Sequence, residues 1–91
     1  MPKIRYSILE EMFKKAIKQD RDAVHKLNDR YEKTLISEPY HKNPTPLELN
    51  YENCRASCVM ATSSLFKKDY RKKFLVDAKR LFKKIQKAEK S

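Results

Sequence analysis

Apolar residues in the first third of the chain recur at helical spacing. At about 100° per residue they fall within one arc of about 140°, as in an amphipathic helix. The arc contains Leu9, Met12, Phe13, Ala16, Ile17, Ala23, Val24, Leu27, Tyr31 and Leu35. The pattern predicts a long helix over residues 4–36. Asp20 lies in the middle of this arc, so it either caps a second helix after a bend or faces the core as a carboxylate that needs a partner.

The helical pattern stops at residues 37–44, where Pro39 and Pro44 exclude a continuous helix and predict a loop. Thr45, Pro46 and Glu48 follow with the spacing of a helix start. They supply an N-cap hydroxyl, a proline at the first helical position and a glutamate three residues after the cap. A second helix is therefore predicted over residues 46–63.

This second helix is apolar on two sides. One side has a heptad-like spacing of four and three, and it consists of Leu47, Tyr51, Cys54, Cys58, Ala61 and Leu65. Leu49, Ala56 and Met60 lie on the far side. A nearly uncharged helix of this kind belongs in the centre of a bundle. Because three helices leave the far side uncovered, we expect Leu49, Ala56 and Met60 to contact a partner protein or a second copy of the chain.

A third helix is predicted over residues 68–87, followed by a frayed tail over residues 88–91. Its apolar stripe comprises Tyr70, Phe74, Ala78, Leu81, Phe82 and Ile85. The stripe is shifted by about one residue from the preceding one, which predicts a break at Thr62, Ser63 and Ser64, with Asp69 as the next N-cap. The three helices indicate one all-α domain over residues 1–91, a small antiparallel bundle.

The composition supports helices and excludes several other folds. The 91 residues include no glycine. Glycine-based phosphate loops, dinucleotide-binding turns and most tight hairpins with positive φ are therefore absent, which argues against nucleotide-binding α/β folds and small β-barrels. With 40% hydrophobic and 37% charged residues, the chain is too apolar for a disordered protein.

Positive charge is concentrated in the last part of the chain. The formal net charge is +10, and residues 65–91 contribute eleven Lys and Arg against three acidic residues. The cations flank the third apolar stripe in two ridges. One ridge contains Lys68, Lys72, Lys79, Lys83 and Lys90, and the other contains Lys73, Arg80, Lys84 and Lys87. Such ridges can follow a phosphate backbone with little discrimination between bases.

The charge pattern predicts a non-catalytic accessory protein that binds the backbone of RNA or DNA. The predicted contacts are Lys68, Lys72, Lys73, Lys79, Arg80, Lys83, Lys84 and Lys87. A solvated face that only keeps the domain soluble is the plainer interpretation. The alternative function is a small adaptor or inhibitor that docks on an acidic surface of a larger complex. A helix lying on a membrane surface is less favoured, because the core needs the apolar residues of this segment.

The loop contributes one further candidate. Tyr40 and His41 lie between Pro39 and Pro44, and rings held between prolines can stack on an unpaired base or insert into a partner. A loop tyrosine can equally cover the end of the bundle. Both interpretations stay open.

Other residues that carry chemistry do not form a recognisable site. Cys54 and Cys58 lie four residues apart with no second pair, so helix packing explains them better than a zinc site. Arg21 and His25 lie one turn apart, but no nucleophile accompanies them. We therefore expect no enzymatic activity, no small-molecule substrate, no cofactor and no bound metal.

The sequence has no stretch of about 18 apolar residues that could cross a membrane. The segment from Met1 to Arg5 also lacks the apolar centre of a secretory signal. Two cysteines are too few for a disulfide framework. These observations predict a cytoplasmic protein in a reducing compartment.

Overall fold

The computed structural model describes residues 2–36 and 44–90, and these form four helices without a strand. The helices are α1 (Pro2–Ile17), α2 (Arg21–Ile36), α3 (Pro46–Ala61) and α4 (Lys68–Lys90). The predicted all-α antiparallel bundle is confirmed. Most of the predicted loop, including Tyr40 and His41, lies outside the described residues.

The predicted single helix over residues 4–36 is wrong, because α1 and α2 are separated by a tight turn. The backbone N–H of Gln19 donates to the Ala16 carbonyl at 3.0 Å, and that of Asp20 donates to the Lys15 carbonyl at 2.9 Å. This pair of bonds is the Schellman motif that commonly ends a helix. Gln19 holds the left-handed position with φ of 58°, where glycine is usual.

Asp20 caps α2, as one of the two sequence interpretations proposed. Its Oδ1 accepts a hydrogen bond from the Ala23 N–H at 3.2 Å, and its side chain is exposed. The turn reverses the chain, so the apolar stripes of α1 and α2 pack against each other. A continuous helical rod would leave its apolar stripe exposed to water. The hairpin buries both stripes and is therefore more stable.

Two hydrogen bonds show that the helices pair antiparallel. Arg5 Nε, near the start of α1, donates to Thr34 Oγ1 near the end of α2 at 3.1 Å. Tyr51 Oη in α3 donates to Glu89 Oε1 at the end of α4 at 2.7 Å. Helix α3 contacts each of the other three helices, so its predicted central position is confirmed, and α1 does the same. Within the described residues α2 and α4 make no contact and lie on opposite flanks.

All four helices contribute to one hydrophobic core. The ring of Phe82 stacks on Phe13 and on Tyr6, with centroids 5.1 and 5.7 Å away. The thiol of Cys54 donates to the Ala78 carbonyl at 3.5 Å, so α3 lies close against α4. The buried residues are Ile8, Leu9, Met12, Ala16, Val24, Leu27, Tyr31, Tyr51, Cys54, Cys58, Ala78, Leu81, Phe82 and Ile85.

The predicted start of α3 is confirmed in detail. The Glu48 N–H donates to Thr45 Oγ1 at 3.2 Å, and the Thr45 N–H donates to Glu48 Oε1 at 3.3 Å. This is the reciprocal capping box, with Pro46 at the first helical position. The helix ends at Ala61, two residues before the predicted end, and the Thr62 hydroxyl donates to the carbonyls of Cys58 and Val59. The predicted break near Thr62 is confirmed.

Helix α4 begins at the predicted residue but ends later than predicted. The Arg71 N–H donates to the Lys67 carbonyl at 3.0 Å, so Lys67 is the N-cap and Asp69 lies inside the first turn. The frayed tail predicted from residue 88 is wrong, since the helix continues to Lys90. The hydrogen bond from Tyr51 to Glu89 ties this last turn to α3.

Three residues predicted to belong to apolar stripes are exposed outside the core. The side chain of Leu65 is 91% exposed, and those of Tyr70 and Ile17 are each 53% exposed. Residues 62–67 connect α3 and α4 without helix, so the heptad-like spacing ends before Leu65. Tyr70 belongs to the first turn of α4, next to this connection.

Candidate nucleic-acid interface

The structure places every predicted phosphate contact of α4 on the solvent side of the helix. The eight exposed residues are Lys68, Lys72, Lys73, Lys79, Arg80, Lys83, Lys84 and Lys87. With Lys90 they occupy one continuous arc of about 160° at 100° per residue. The two ridges predicted from the sequence are therefore the two halves of one face. We call these nine residues the basic face.

The three acidic residues of α4 only weakly offset the basic face. Glu89 accepts a hydrogen bond from Tyr51 on the inner side of the helix. Asp77 lies at the margin of the face, where its Oδ1 is 3.7 Å from Arg80 Nη2. Asp69 is the one acidic side chain within the arc, and it lies in the first turn. The local positive potential is therefore strongest beyond this turn.

The inner side of α4 holds the basic face in a fixed position. Ala78, Leu81, Phe82 and Ile85 are buried against the other helices. The 23 residues of α4 correspond to a ridge about 34 Å long at 1.5 Å per residue. A long cationic surface on a packed helix presents its charges at set spacings, although each lysine side chain stays mobile.

Few aromatic rings accompany the cations. Phe82 is buried in the core, and Phe74 is half-buried and packs edge-on against Phe66 with centroids 5.0 Å apart. Tyr70 is the exposed aromatic residue of α4, and Lys73 Nζ lies 5.5 Å from the centre of its ring. The basic face thus offers charge along its length and an aromatic ring at one end.

A groove between α1 and α4 adds a cation that the sequence analysis missed. Phe13 and Ile17 of α1 line it together with Phe82 of α4, and Lys14, Lys79 and Lys83 stand at its edges. Glu10 and Gln86 complete the lining. Lys14 follows Phe13 in sequence, so its position beside the α1 stripe was visible. Only the packing of α1 on α4 shows that it lies beside Lys79 and Lys83 of the basic face.

The residues predicted to form a protein interface lie on the outward side of α3. Leu49 is 47% exposed, Ala56 is exposed and Met60 is partly buried. They form a narrow strip rather than a broad apolar patch. Tyr40 and His41, the other two predicted interface residues, lie outside the described part of the chain.

The charged residues of α3 contact their own bundle. Arg55 is 18% exposed at its side chain and donates to Glu52 Oε2 at 2.7 Å and to Asn28 Oδ1 at 2.8 Å. Its guanidinium carbon lies 5.3 Å from the centre of the Tyr31 ring. Burial, followed by the nearby carboxylate of Glu52, raises the pKa of Tyr31 to about 12. This cluster ties α3 to α2.

A hollow of about 220 Å³ opens beside this cluster. Its apolar lining includes Leu35, Leu47, Tyr31 and Tyr51. Burial and the hydrogen bond to Glu89 raise the pKa of Tyr51. The tyrosine hydroxyl is thus already engaged with Glu89, and nothing in the lining marks a particular ligand.

Other candidate sites contain few reactive groups. Cys54 and Cys58 are both buried with free thiols, and a hydrogen bond to Cys54, together with burial, raises the pKa of Cys58. Within residues 2–36 and 44–90, no three His, Cys, Asp or Glu side chains are grouped as metal ligands. Arg21 and His25 lie exposed in a shallow depression beside Asp22 and Lys26.

Comparison with protein-family models, with curated proteins and with solved structures finds no match to this chain. Among the described helices, none has both the length and the apolar character needed to cross a membrane.

Proposed function

We propose that this protein binds nucleic acid through the basic face of α4 and performs no catalysis itself. The observation that carries the proposal is the continuous arc of nine Lys and Arg side chains on the exposed side of one packed helix. Residues on such an arc can reach phosphates on one surface of a nucleic acid. Backbone contacts of this kind position a protein without reading sequence.

The main driving force is the release of counterions from the nucleic acid. Each phosphate that a lysine neutralises contributes about −0.9 to the slope of log K against log salt for duplex DNA. The basic face can supply several such contacts at once. We therefore expect affinity that falls steeply and linearly on a log–log plot as the salt concentration rises, with little dependence on base sequence.

A pair of triple variants tests whether the face matters beyond net charge. The first variant changes Lys72, Lys79 and Lys83 to Glu. The matched control changes Lys26, Arg30 and Lys33 to Glu, which are exposed on α2 at the opposite flank of the bundle. Both variants change the formal charge by the same amount. Fluorescence anisotropy with labelled RNA and DNA measures the affinity of each.

The α4 variant should lose about a hundredfold or more in affinity at low salt, and the α2 variant should lose about tenfold or less. Equal losses would mean that binding follows net charge rather than the basic face. Undetectable binding of the unmodified protein to RNA and to DNA at low salt would overturn the proposal.

The α1–α4 groove favours a second candidate function, docking on an acidic protein. An apolar groove with Lys14, Lys79 and Lys83 at its edges suits a segment with an apolar side chain between acidic residues. Affinity purification from native cells, followed by nuclease treatment, separates the two functions. One stoichiometric protein that survives nuclease supports docking, whereas recovery of nucleic acid alone contradicts it.

The strip of Leu49, Ala56 and Met60 favours a form of the second candidate function in which the protein partner is another copy of this chain. Burial of these side chains between two copies would cover the outward side of α3. Sedimentation at tens of micromolar protein tests this, with Met60→Glu as the variant expected to dissociate a dimer. A monomer for the unmodified protein would show that the strip does not mediate self-association under these conditions.

A further inference from the structure

We infer that the preferred ligand of the basic face is duplex DNA, with α4 lying in the major groove and its two rows of cations facing opposite strands. This inference rests on the proposed function and specifies its ligand. Three features of α4 support this ligand: the two rows of cations, the apolar residue between the rows and the small number of exposed aromatic rings.

The basic face divides into two rows that diverge around the helix. Lys68, Lys72, Lys79, Lys83 and Lys90 occupy the first third of the arc, and Lys73, Arg80, Lys84 and Lys87 occupy its other side. The centres of the two rows are about 100° apart at 3.6 residues per turn. Side chains that diverge by this angle reach to the left and right of the helix at once. A groove with phosphates on both sides can contact both rows of cations, whereas a single strand can contact only one row.

The strip between the rows is suited to the floor of a groove. Its centre is Val76, which is 67% exposed although it is apolar. The helical angle of Val76 lies midway along the arc of about 160°. An apolar side chain can contact the thymine methyl group that the major groove displays. The neighbouring depression is lined by Lys72, Lys73, Val76 and Asp77.

The aromatic rings argue against a single-stranded ligand. Proteins that bind single strands combine a basic groove with exposed rings on which bases stack. Phe82 of α4 is buried in the core, and the half-buried Phe74 packs its ring against Phe66. Tyr70 is exposed at one end, but Lys73 already lies near its ring. Without a row of stacking surfaces, the basic face matches a ligand whose bases remain paired.

Groove dimensions favour DNA over RNA. A helix with its side chains is about 10–12 Å across, and the major groove of B-form DNA is about 12 Å wide. The major groove of A-form RNA is deep and too narrow for side chains to read. The width of α4 thus matches the width of the major groove of B-form DNA.

The acidic residues define which part of α4 enters the groove. Asp69 has nearly the same helical angle as Val76, so its carboxylate would face the groove and be repelled by the phosphates. Contact therefore begins beyond the first turn, from Lys72 to Lys87. This segment of 16 residues is about 24 Å long at 1.5 Å per residue, which is enough to follow the groove for several base pairs.

Three labelled ligands of the same sequence test the inference by fluorescence anisotropy. They are a DNA duplex of about 20 base pairs, the corresponding RNA duplex and the single DNA strand. The expected result is that duplex DNA binds about tenfold or more tighter than the other two at equal salt. Equal affinity for the RNA and DNA duplexes, or tighter binding of the single strand, would overturn the inference and leave the proposed function standing.

A second measurement tests the groove without changing the backbone charge. In duplex DNA with glucosylated 5-hydroxymethylcytosine in place of cytosine, the sugars fill the major groove, and affinity should fall about tenfold. The minor-groove ligand distamycin should leave binding to unmodified DNA nearly unchanged. Displacement by distamycin, or indifference to the sugars, would contradict major-groove binding. Failure of all nucleic acids to bind would instead overturn the proposed function itself.

A matched pair of variants tests the strip. Val76→Glu places a carboxylate at the groove floor, and His25→Glu makes the same change in formal charge at an exposed position of α2, which does not contact α4. The first should weaken DNA binding about tenfold, and the second by about twofold or less. Circular dichroism checks that both remain folded. Equal effects of the two variants would show that Val76 does not lie at the contact.

Discussion

Helices α3 and α4 lie against each other but use their charged residues differently. In α3, Arg55 contacts Glu52, Asn28 and Glu32, and Glu48 belongs to the capping box. In α4, nine cations point outward. Among these nine, Arg80 lies near Asp77, and Lys73 lies near the ring of Tyr70. Charges of α3 connect parts of the fold, whereas most charges of α4 face solvent.

The difference is consistent with the proposal that the basic face binds a ligand outside the fold. Cations four residues apart on a helix, such as Lys79 and Lys83, repel each other and destabilise it by about 0.2–0.5 kcal/mol per pair. Helix α4 tolerates this repulsion because Ala78, Leu81, Phe82 and Ile85 are buried on its other side. A face that opposes folding is consistent with a role in binding a polyanion.

The largest expected effect is a loss of stability, and it comes from comparing a substitution on the buried side of α4 with one on its outer side. Ile85 is fully buried, and Ile85→Ala should lower the free energy of unfolding by about 2–5 kcal/mol because it leaves a cavity. Val76→Ala on the outer side should change it by about 0.5 kcal/mol or less. Urea unfolding followed by circular dichroism measures both. Similar losses would mean that the outer side also stabilises the fold.

A second test compares one cation from each helix. Arg55→Met removes hydrogen bonds to Glu52 and Asn28 and should lower the free energy of unfolding by about 1–3 kcal/mol. Lys79→Met should change it by about 0.5 kcal/mol or less. The same urea titration applies. If the lysine variant loses as much stability as the arginine variant, the contrast between structural and outward charges fails.

Alkaline pH should act on the α2–α3 cluster. Because the pKa of Tyr31 is raised from about 10 to about 12 in the fold, the unfolded chain ionises first as the pH rises. The contribution of Tyr31 to the free energy of unfolding should therefore be constant below about pH 10 and should fall between about pH 10 and 12, in addition to the losses caused by the raised pKa values of Tyr51 and Cys58. Urea midpoints from pH 8 to 12 measure this. Tyr31→Phe should show a shallower fall, and an identical fall would exclude Tyr31 as a cause.

The smallest expected effect is a change in stability at Lys83, where one substitution should change stability and nucleic-acid binding in opposite directions. Lys83→Glu places a carboxylate four residues from Lys79 and from Lys87, so attraction replaces repulsion. The thermal midpoint should rise slightly, corresponding to about 0.5 kcal/mol, while affinity for nucleic acid falls. Lys33→Glu on α2 is the control for binding. A variant that loses both stability and binding would contradict the view that the basic face opposes folding.

Local patterns in the sequence predicted several features of the fold. The capping box of Thr45 and Glu48 involves side chains three residues apart, so no distant contact is needed to recognise it. The outward direction of the α4 cations followed equally from helical spacing, because the apolar stripe between them had to face the core. The break near Thr62 was predicted from the shift of about one residue between the apolar stripes on its two sides.

Distant contacts decided the points at which the predictions failed. Gln19 occupies a left-handed position that glycine usually marks, so the sequence offered a cap at Asp20 as one of two interpretations but did not decide between them. The late end of α4 depends on Tyr51, which lies 38 residues from Glu89. The proximity of Lys14 to Lys79 and Lys83 depends on how α1 packs on α4.

By itself, the sequence determined that the chain is helical, where α3 begins and which side of α4 carries the cations. Each of these depends on residues within a few turns of one another, where backbone geometry sets the distances. Only the tertiary structure decided that the N-terminal segment folds back at Asp20, that Arg55 joins α3 to α2 and that α1 places Lys14 beside the basic face. These depend on burial between segments distant in sequence, which the spacing of residues along one segment does not encode.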